Sequence, residues 1–266
     1  MYKGAIQALE SGMKYQNPSI VEALCEFIFA PDTSWDSTIF GRLYERVKAS
    51  FPEREEGEIV TAAVALNPQA GQAPGTPQML RRPRMTFSRD NRTRIIQVAE
   101  RAITINALAP YPGWDGLRPL ILDAVGPLSD IIQVPTAAQI VLRYLDRFEL
   151  QDNPFRLGDW LNCDGALFPR NLANQSTALH QMQHPRGVGE NFALTAACGP
   201  IPGKTPAHVV LLDTQIIRTG PVPLDKGLGS LLDAMHDGII QAFECAITEK
   251  LRDRLGPLPV KNGGTS

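Results

Sequence analysis

The stretch Gln139-Ile-Val-Leu-Arg-Tyr-Leu-Asp-Arg-Phe-Glu-Leu150 decides the fold class. Its even positions, Ile140, Leu142, Tyr144, Phe148 and Leu150, are apolar, with Asp146 the exception; Arg143, Arg147 and Glu149 stand at odd positions. Successive side chains of a strand point to opposite faces, so this alternation predicts a long half-buried strand, apolar on one side and charged on the other. A sheet built from such strands needs helices on one face only.

Working outward from it, Ile20 to Phe29 repeats the pattern. Val21, Ala23, Cys25, Phe27 and Phe29 form an apolar face, and Glu22 and Glu26 lie on the opposite one. A helix is predicted from Trp35 to Ser50, with Ile39, Leu43 and Val47 as its stripe. A strand over Ile59–Leu66 and a long Pro-, Gly- and Gln-rich loop over Asn67–Pro83 follow. Arg84–Ser88, Arg92–Val98 and Ala102–Leu108 read as a three-stranded meander, and Trp114–Ile132 as a helix that Pro127 kinks or ends.

Downstream of the central strand, Pro154–Leu161 reads as a short helix and Asp164–Thr177 as irregular chain. Ala178–Gln183, Phe192–Cys198 and Ala207–Arg218 read as strands. The stripe Leu228, Leu231, Leu232, Met235, Ile239, Phe243, Ile247, Leu251 predicts one long helix from Leu224 to Leu255, stopped by Gly256-Pro257. The expected fold is α+β, mostly antiparallel sheet packed by helices. It comprises a leader (1–16), two similar halves (17–135 and 136–256), each ordered strand, helix, antiparallel strands, helix, and a disordered tail (257–266).

The bulk numbers exclude some classes. A net charge of −2 over 266 residues argues against nucleic-acid binding through overall charge. No long uncharged apolar run suggests a membrane span, and the first ten residues lack a signal-peptide core, so a cytoplasmic location is expected. Cys25, Cys163, Cys198 and Cys245 are scattered; Cys25 and Cys245 fall on apolar faces and are expected to be reduced core residues.

Two charged sets are candidates for binding. Glu22 and Glu26 share the four-residue spacing of Arg143 and Arg147, about 13 Å along a strand. Neighbouring strands would make them a ladder of ion pairs; otherwise Arg143 and Arg147 suit a phosphate or carboxylate. Arg81, Arg82, Arg84, Arg92 and Arg94, with Arg89 and Arg101 nearby, form a cationic segment that would hold nucleic acid or an acidic partner, or else a solvated hairpin face. His180 and His184 have metal-ligand spacing for a helix but sit in a strand-like stretch, so no metal and no other cofactor is expected. His236 lies on the apolar stripe of the last helix and reads as a buried, hydrogen-bonded histidine. No nucleophile elbow, phosphate loop or dinucleotide fingerprint is present, and no catalytic residue is assigned.

Four stretches carry a resemblance. Asn17-Pro-Ser-Ile-Val-Glu-Ala-Leu-Cys-Glu-Phe27, Tyr111-Pro-Gly-Trp114, Leu142-Arg-Tyr-Leu-Asp-Arg147, and His236, Ile239, Phe243 and Ile247-Thr248 together resemble an uncharacterised, sporadically distributed prokaryotic protein family of unknown function. The resemblance implies no enzyme class. Its sporadic distribution implies an association with mobile or defence loci. The leading expectation is a non-enzymatic binding or regulatory protein with a protein partner, its oligomeric state open. The alternatives are an enzyme acting on a phosphorylated small molecule and a nucleic-acid binder through residues 81–101.

Overall fold

Alternation over Ile20–Ile28 forms a strand, β1, with Ala23, Cys25 and Phe27 fully buried and Glu22, Leu24 and Glu26 only half-buried. A computed structural model describes residues 14–63, 78–162 and 177–258. The elements that follow β1 are α1 (Thr38–Val47), β2 (Glu53–Ala63), β3 (Gln78–Arg89), β4 (Arg94–Ala99), β5 (Ala102–Leu108) and α2 (Trp114–Ile132). Then come β6 (Thr136–Leu150), β7 (Ala178–Gly187), β8 (Glu190–Pro200), β9 (His208–Pro223), α3 (Leu228–Ala246) and α4 (Glu249–Leu255).

The strands form one nine-stranded sheet in the order β2-β3-β4-β5-β1-β6-β9-β8-β7. Every neighbouring pair is antiparallel, and β1 lies between β5 and β6. The fold is therefore mixed α and β with a large antiparallel sheet. No helix among the described residues is long and apolar enough to cross a membrane.

The helices cover one face. Ala23, Cys25, Phe27, Ile103, Ile105, Ile140, Leu142 and Tyr144 meet Leu43 of α1, Leu117, Ile121 and Leu128 of α2, and Leu232, Met235 and Ile239 of α3. A second cluster joins Phe148, Leu150, Val210 and Leu212 to Trp160, Ile247, Leu251 and Leu255. Burying one such leucine, isoleucine or phenylalanine stabilises by roughly 1.5–3 kcal/mol. That gain commits this face to the core.

The structure moves several expected boundaries. β2 begins at Glu53 rather than Ile59, because on an edge strand Glu53, Glu55, Glu56 and Glu58 project into water. β3 begins at Gln78 and takes in Pro83, which pairs with Glu58 where β4 has not yet joined. A proline is tolerated there because β3 has a neighbour on one side only at that point. Pro127 does not end α2; Ala124, Val125 and Leu128 around it are core residues, and the helix stops at a left-handed Gln133.

The long C-terminal helix is two helices. Ile247 is extended and bridges Leu161, and Thr248 caps α4 by accepting a hydrogen bond from Leu251 N at 3.3 Å. The apolar stripe runs unbroken across the gap because both helices pack on the same side of the sheet. Cys245 is exposed, contrary to expectation; Cys25 and Cys198 are buried, and all three are free thiols. The buried neighbour is Glu244, which accepts from Tyr15 Oη at 2.6 Å and from Arg252 Nη2 at 3.1 Å.

The expected Pro154–Leu161 helix reduces to a 3-10 turn over Leu157–Asp159. Tyr15 of the expected leader bridges Pro257 of the expected tail. Residues 1–13, 64–77, 163–176 and 259–266 lie outside the described residues, and with them Cys163, most of the expected long loop and the rest of the leader and tail.

Candidate functional site: the uncovered face of the sheet

The second face of the sheet carries polar and charged side chains at its centre. Among the described residues, no helix buries its apolar side chains there. Leu24 of β1 stands opposite Asn106 of β5 and Arg143 of β6, and Arg143 stands opposite Gln215 of β9. Residues two positions away share the face, which adds Glu22, Glu26, Thr104 and Asp213.

Hydrogen bonds fix this group. Arg143 donates to Asp213 twice, Nε to Oδ1 at 2.9 Å and Nη2 to Oδ2 at 2.7 Å. Gln215 Nε2 lies 3.2 Å from both Asp213 oxygens. Asn106 Nδ2 donates to Glu22 Oε1 at 2.6 Å, and Thr104 Oγ1 to Glu26 Oε1 at 3.4 Å. Hydrogen bonding to Asp213 raises the Arg143 guanidinium above its ordinary value; Glu22 and Glu26 add to this through space, and partial burial opposes it. Glu22, Glu26 and Asp213 set three carboxylates against one guanidinium, an excess of two negative charges.

The expected ladder of ion pairs does not form, although the strands that would carry it are adjacent. β1 and β6 are neighbours, but Arg143 lies between Glu22 and Glu26 rather than opposite either, and its ion pair is with Asp213. Asn106 and Thr104 occupy the two glutamates, leaving Asp213 for the guanidinium. Arg147 pairs with Glu149 on its own strand at 2.7 Å, not with a residue of β1. Sequence reasoning missed Asp213, Gln215, Asn106 and Thr104. A single acid inside the apolar run Val209–Ile217 was the available signal for Asp213, but only the strand order shows what it faces.

The cationic segment is spread and engaged. Arg94 donates to the carbonyls of Thr93, Leu108 and Pro110. Arg92 pairs with Glu55 at 2.6 Å, and Arg84 donates to Gln97 Oε1 at 3.2 Å. Arg101 pairs with Glu100, and Arg89 with Asp90 at 3.4 Å. The pairing of β3 with β2 sets the backbone of Arg81, Arg82 and Arg84 beside Val60, Ile59 and Gly57, in a strand that carries four glutamates. The Arg82 side chain is exposed, and that of Arg81 lies outside the described residues.

His180 and His184 both lie on β7, and among the described residues no three potential metal ligands come together. His236 sits on the covered face. Its ring stacks on Trp114 with centroids 4.4 Å apart, its Nδ1 lies 3.0 Å from Tyr144 Oη, and Tyr144 Oη lies 2.7 Å from Tyr111 Oη. Burial lowers the His236 value, against the opposing pull of Asp237, Asp233 and Asp115. Nearby, Ser19 Oγ donates to buried Asp146 at 2.7 Å, and burial pushes that carboxyl up to about 7.

No family model, no curated protein and no solved structure matches the chain.

Proposed function

We propose that this chain is a non-enzymatic binding protein that engages a protein partner over the uncovered face of its sheet. The observation that carries this reading is the half-buried cluster of Glu22, Glu26, Arg143, Asp213 and Gln215, held in place on a large sheet whose helices, among the described residues, pack on the other side. Its excess negative charge suits a partner surface bearing lysine or arginine. The same charge weighs against the phosphorylated-metabolite reading, because Arg143 already holds a carboxylate bidentately. The glutamates of β2 weigh in the same way against nucleic acid at Arg82, Arg84 and Arg92. Buried, unpaired Cys25 and Cys198 suit a reducing compartment and a partner within it.

The arrangement of strands supports reading 17–135 and 136–256 as related halves. From the centre outward the sheet runs β1, β5, β4, β3, β2 on one side and β6, β9, β8, β7 on the other. In both, the last strand of the half lies beside the first, and a long helix follows it.

Site-directed photo-crosslinking in the native host tests the binding reading. A photoreactive residue at Leu24 or Gln215 is expected to yield an adduct of one discrete mass. Glu22→Gln with Glu26→Gln should reduce that adduct, and added salt should weaken it. The same residue at Asp237, on the exposed side of α3, should yield none. Adducts at Asp237 alone, or none at the sheet positions, would overturn the reading.

A further inference from the structure

The two edges of the sheet are built differently. β2 guards its edge with Glu53, Arg54, Glu55, Glu56 and Glu58, all exposed. Charged side chains of this kind block pairing with another chain. β7, at the other edge, contains no acid and no lysine, and Gln181–Val188 is exposed throughout. Of the four exposed large apolar side chains among the described residues, three belong to this hairpin: Leu179 at 70%, Met182 at 53% and Val188 at 96%. Arg186 lies against Gly238 of α3, and within the hairpin it pairs with Glu190 of β8 at 3.6 Å.

We propose that β7 pairs antiparallel with β7 of a second copy of this chain, continuing the sheet across a two-fold axis. The strand is complementary to itself. An axis through Gln181 sets Gln181 against its twin, Met182 against His180, and Leu179 against Gln183, so no like charges are opposed. An amide side chain both donates and accepts, so the two central glutamines satisfy one another. Pro185 has no N–H to give and ends the pairing symmetrically on both sides. The two Arg186 residues fall ten positions apart, roughly 33 Å at strand rise. Such an interface is isologous and closes at two copies, which distinguishes it from an open fibre.

The proposal predicts a concentration-dependent mass. Light scattering behind size exclusion, from micromolar to hundred-micromolar chain, should show the mass rising from the 29.1 kDa of one chain to twice that value. Met182→Lys places a charge beside the partner's His180 and should hold the protein at one chain; Gln181→Pro should do the same by removing an edge N–H. Glu56→Ala on the opposite edge should leave the dimer intact. Because Gln181→Pro risks misfolding, a gain-of-signal variant accompanies it. Gln181→Cys, in a background with Cys163 and Cys245 changed to serine, should cross-link to its own copy on mild oxidation. A wild-type protein that stays at one chain throughout, or a dimer that survives Met182→Lys and gives no Gln181→Cys cross-link, would overturn the proposal.

Discussion

At the scale of single residues, two buried titratable groups pull stability in opposite directions. Asp146 is 3% exposed, with Ser19 donating to it, and burial raises its value from 3.8 to about 7. Between those values the folded chain keeps a proton that the unfolded chain has released. Stability from Asp146 is therefore complete at the acid end and is lost as pH rises through about 7, a span worth on the order of 4 kcal/mol. His236 has the opposite sign: burial lowers its value, so its contribution is present above the ordinary histidine value and is lost as pH falls. Asp146→Asn removes the first slope and leaves the second. Its melting temperature relative to wild type should climb between about pH 4 and pH 7, with the variant the more stable at the alkaline end. A constant offset across that range would show that the folded carboxyl titrates no differently from the unfolded one.

Arg143 and Asp213 permit a second measurement at this scale. Arg143 is 41% exposed and Asp213 is 13% exposed, so solvent screens one end of the pair and hardly the other. Arg143→Ala strands a mostly buried carboxylate and should cost about 2 kcal/mol in urea unfolding. The coupling energy from the double-mutant cycle with Asp213→Asn should be nearer 1 kcal/mol. A cycle that closes to zero would remove the ion pair from the account of this face.

At the scale of elements, glycines separate close packing from helix propensity. A Cβ on Gly238 of α3 would meet Ile216 Cδ1 at 2.6 Å and overlap the Arg186 guanidinium. Gly41 of α1 has nothing within 4 Å of the same position. Gly238→Ala should therefore cost about 1–3 kcal/mol by overpacking. It should also release the β7–β8 hairpin, seen as faster amide exchange across Gln181–Val188. Gly41→Ala should gain up to about 1 kcal/mol from helix propensity. Equal effects at the two positions would mean that Arg186 does not hold the hairpin to α3.

At the scale of the whole molecule, the arrangement puts hydrophobic commitment on one side of a sheet and a half-buried charged cluster on the other. Phe27, Ile105 and Leu142 are fully buried beneath the helices, while Glu22, Arg143 and Gln215 remain half-buried across the sheet from them. The helix layer can thus bear the stability of the fold while the opposite face varies in charge. The unequal edges belong to the same plan, one guarded by glutamates and one bare.

The sequence by itself determined β1, β6, α1 and α2, because each carries a strong period in its own residues and buries one face. It also determined that the sheet is antiparallel in large part and that Glu22, Glu26, Arg143 and Arg147 point away from the core. It could not show that Thr248 interrupts the last helix, since a break between two helices on one surface leaves the apolar stripe unchanged. Nor could it show Glu244 taking a buried position beside exposed Cys245, which needs Arg252 and Tyr15 to come together from distant parts of the chain. Only the tertiary structure decided that β9 lies beside β6, and so that Asp213 rather than Glu22 or Glu26 holds Arg143. Alternation fixes which face a side chain occupies; which charges meet on that face depends on strand order and register, and those are set by contacts between residues far apart in sequence.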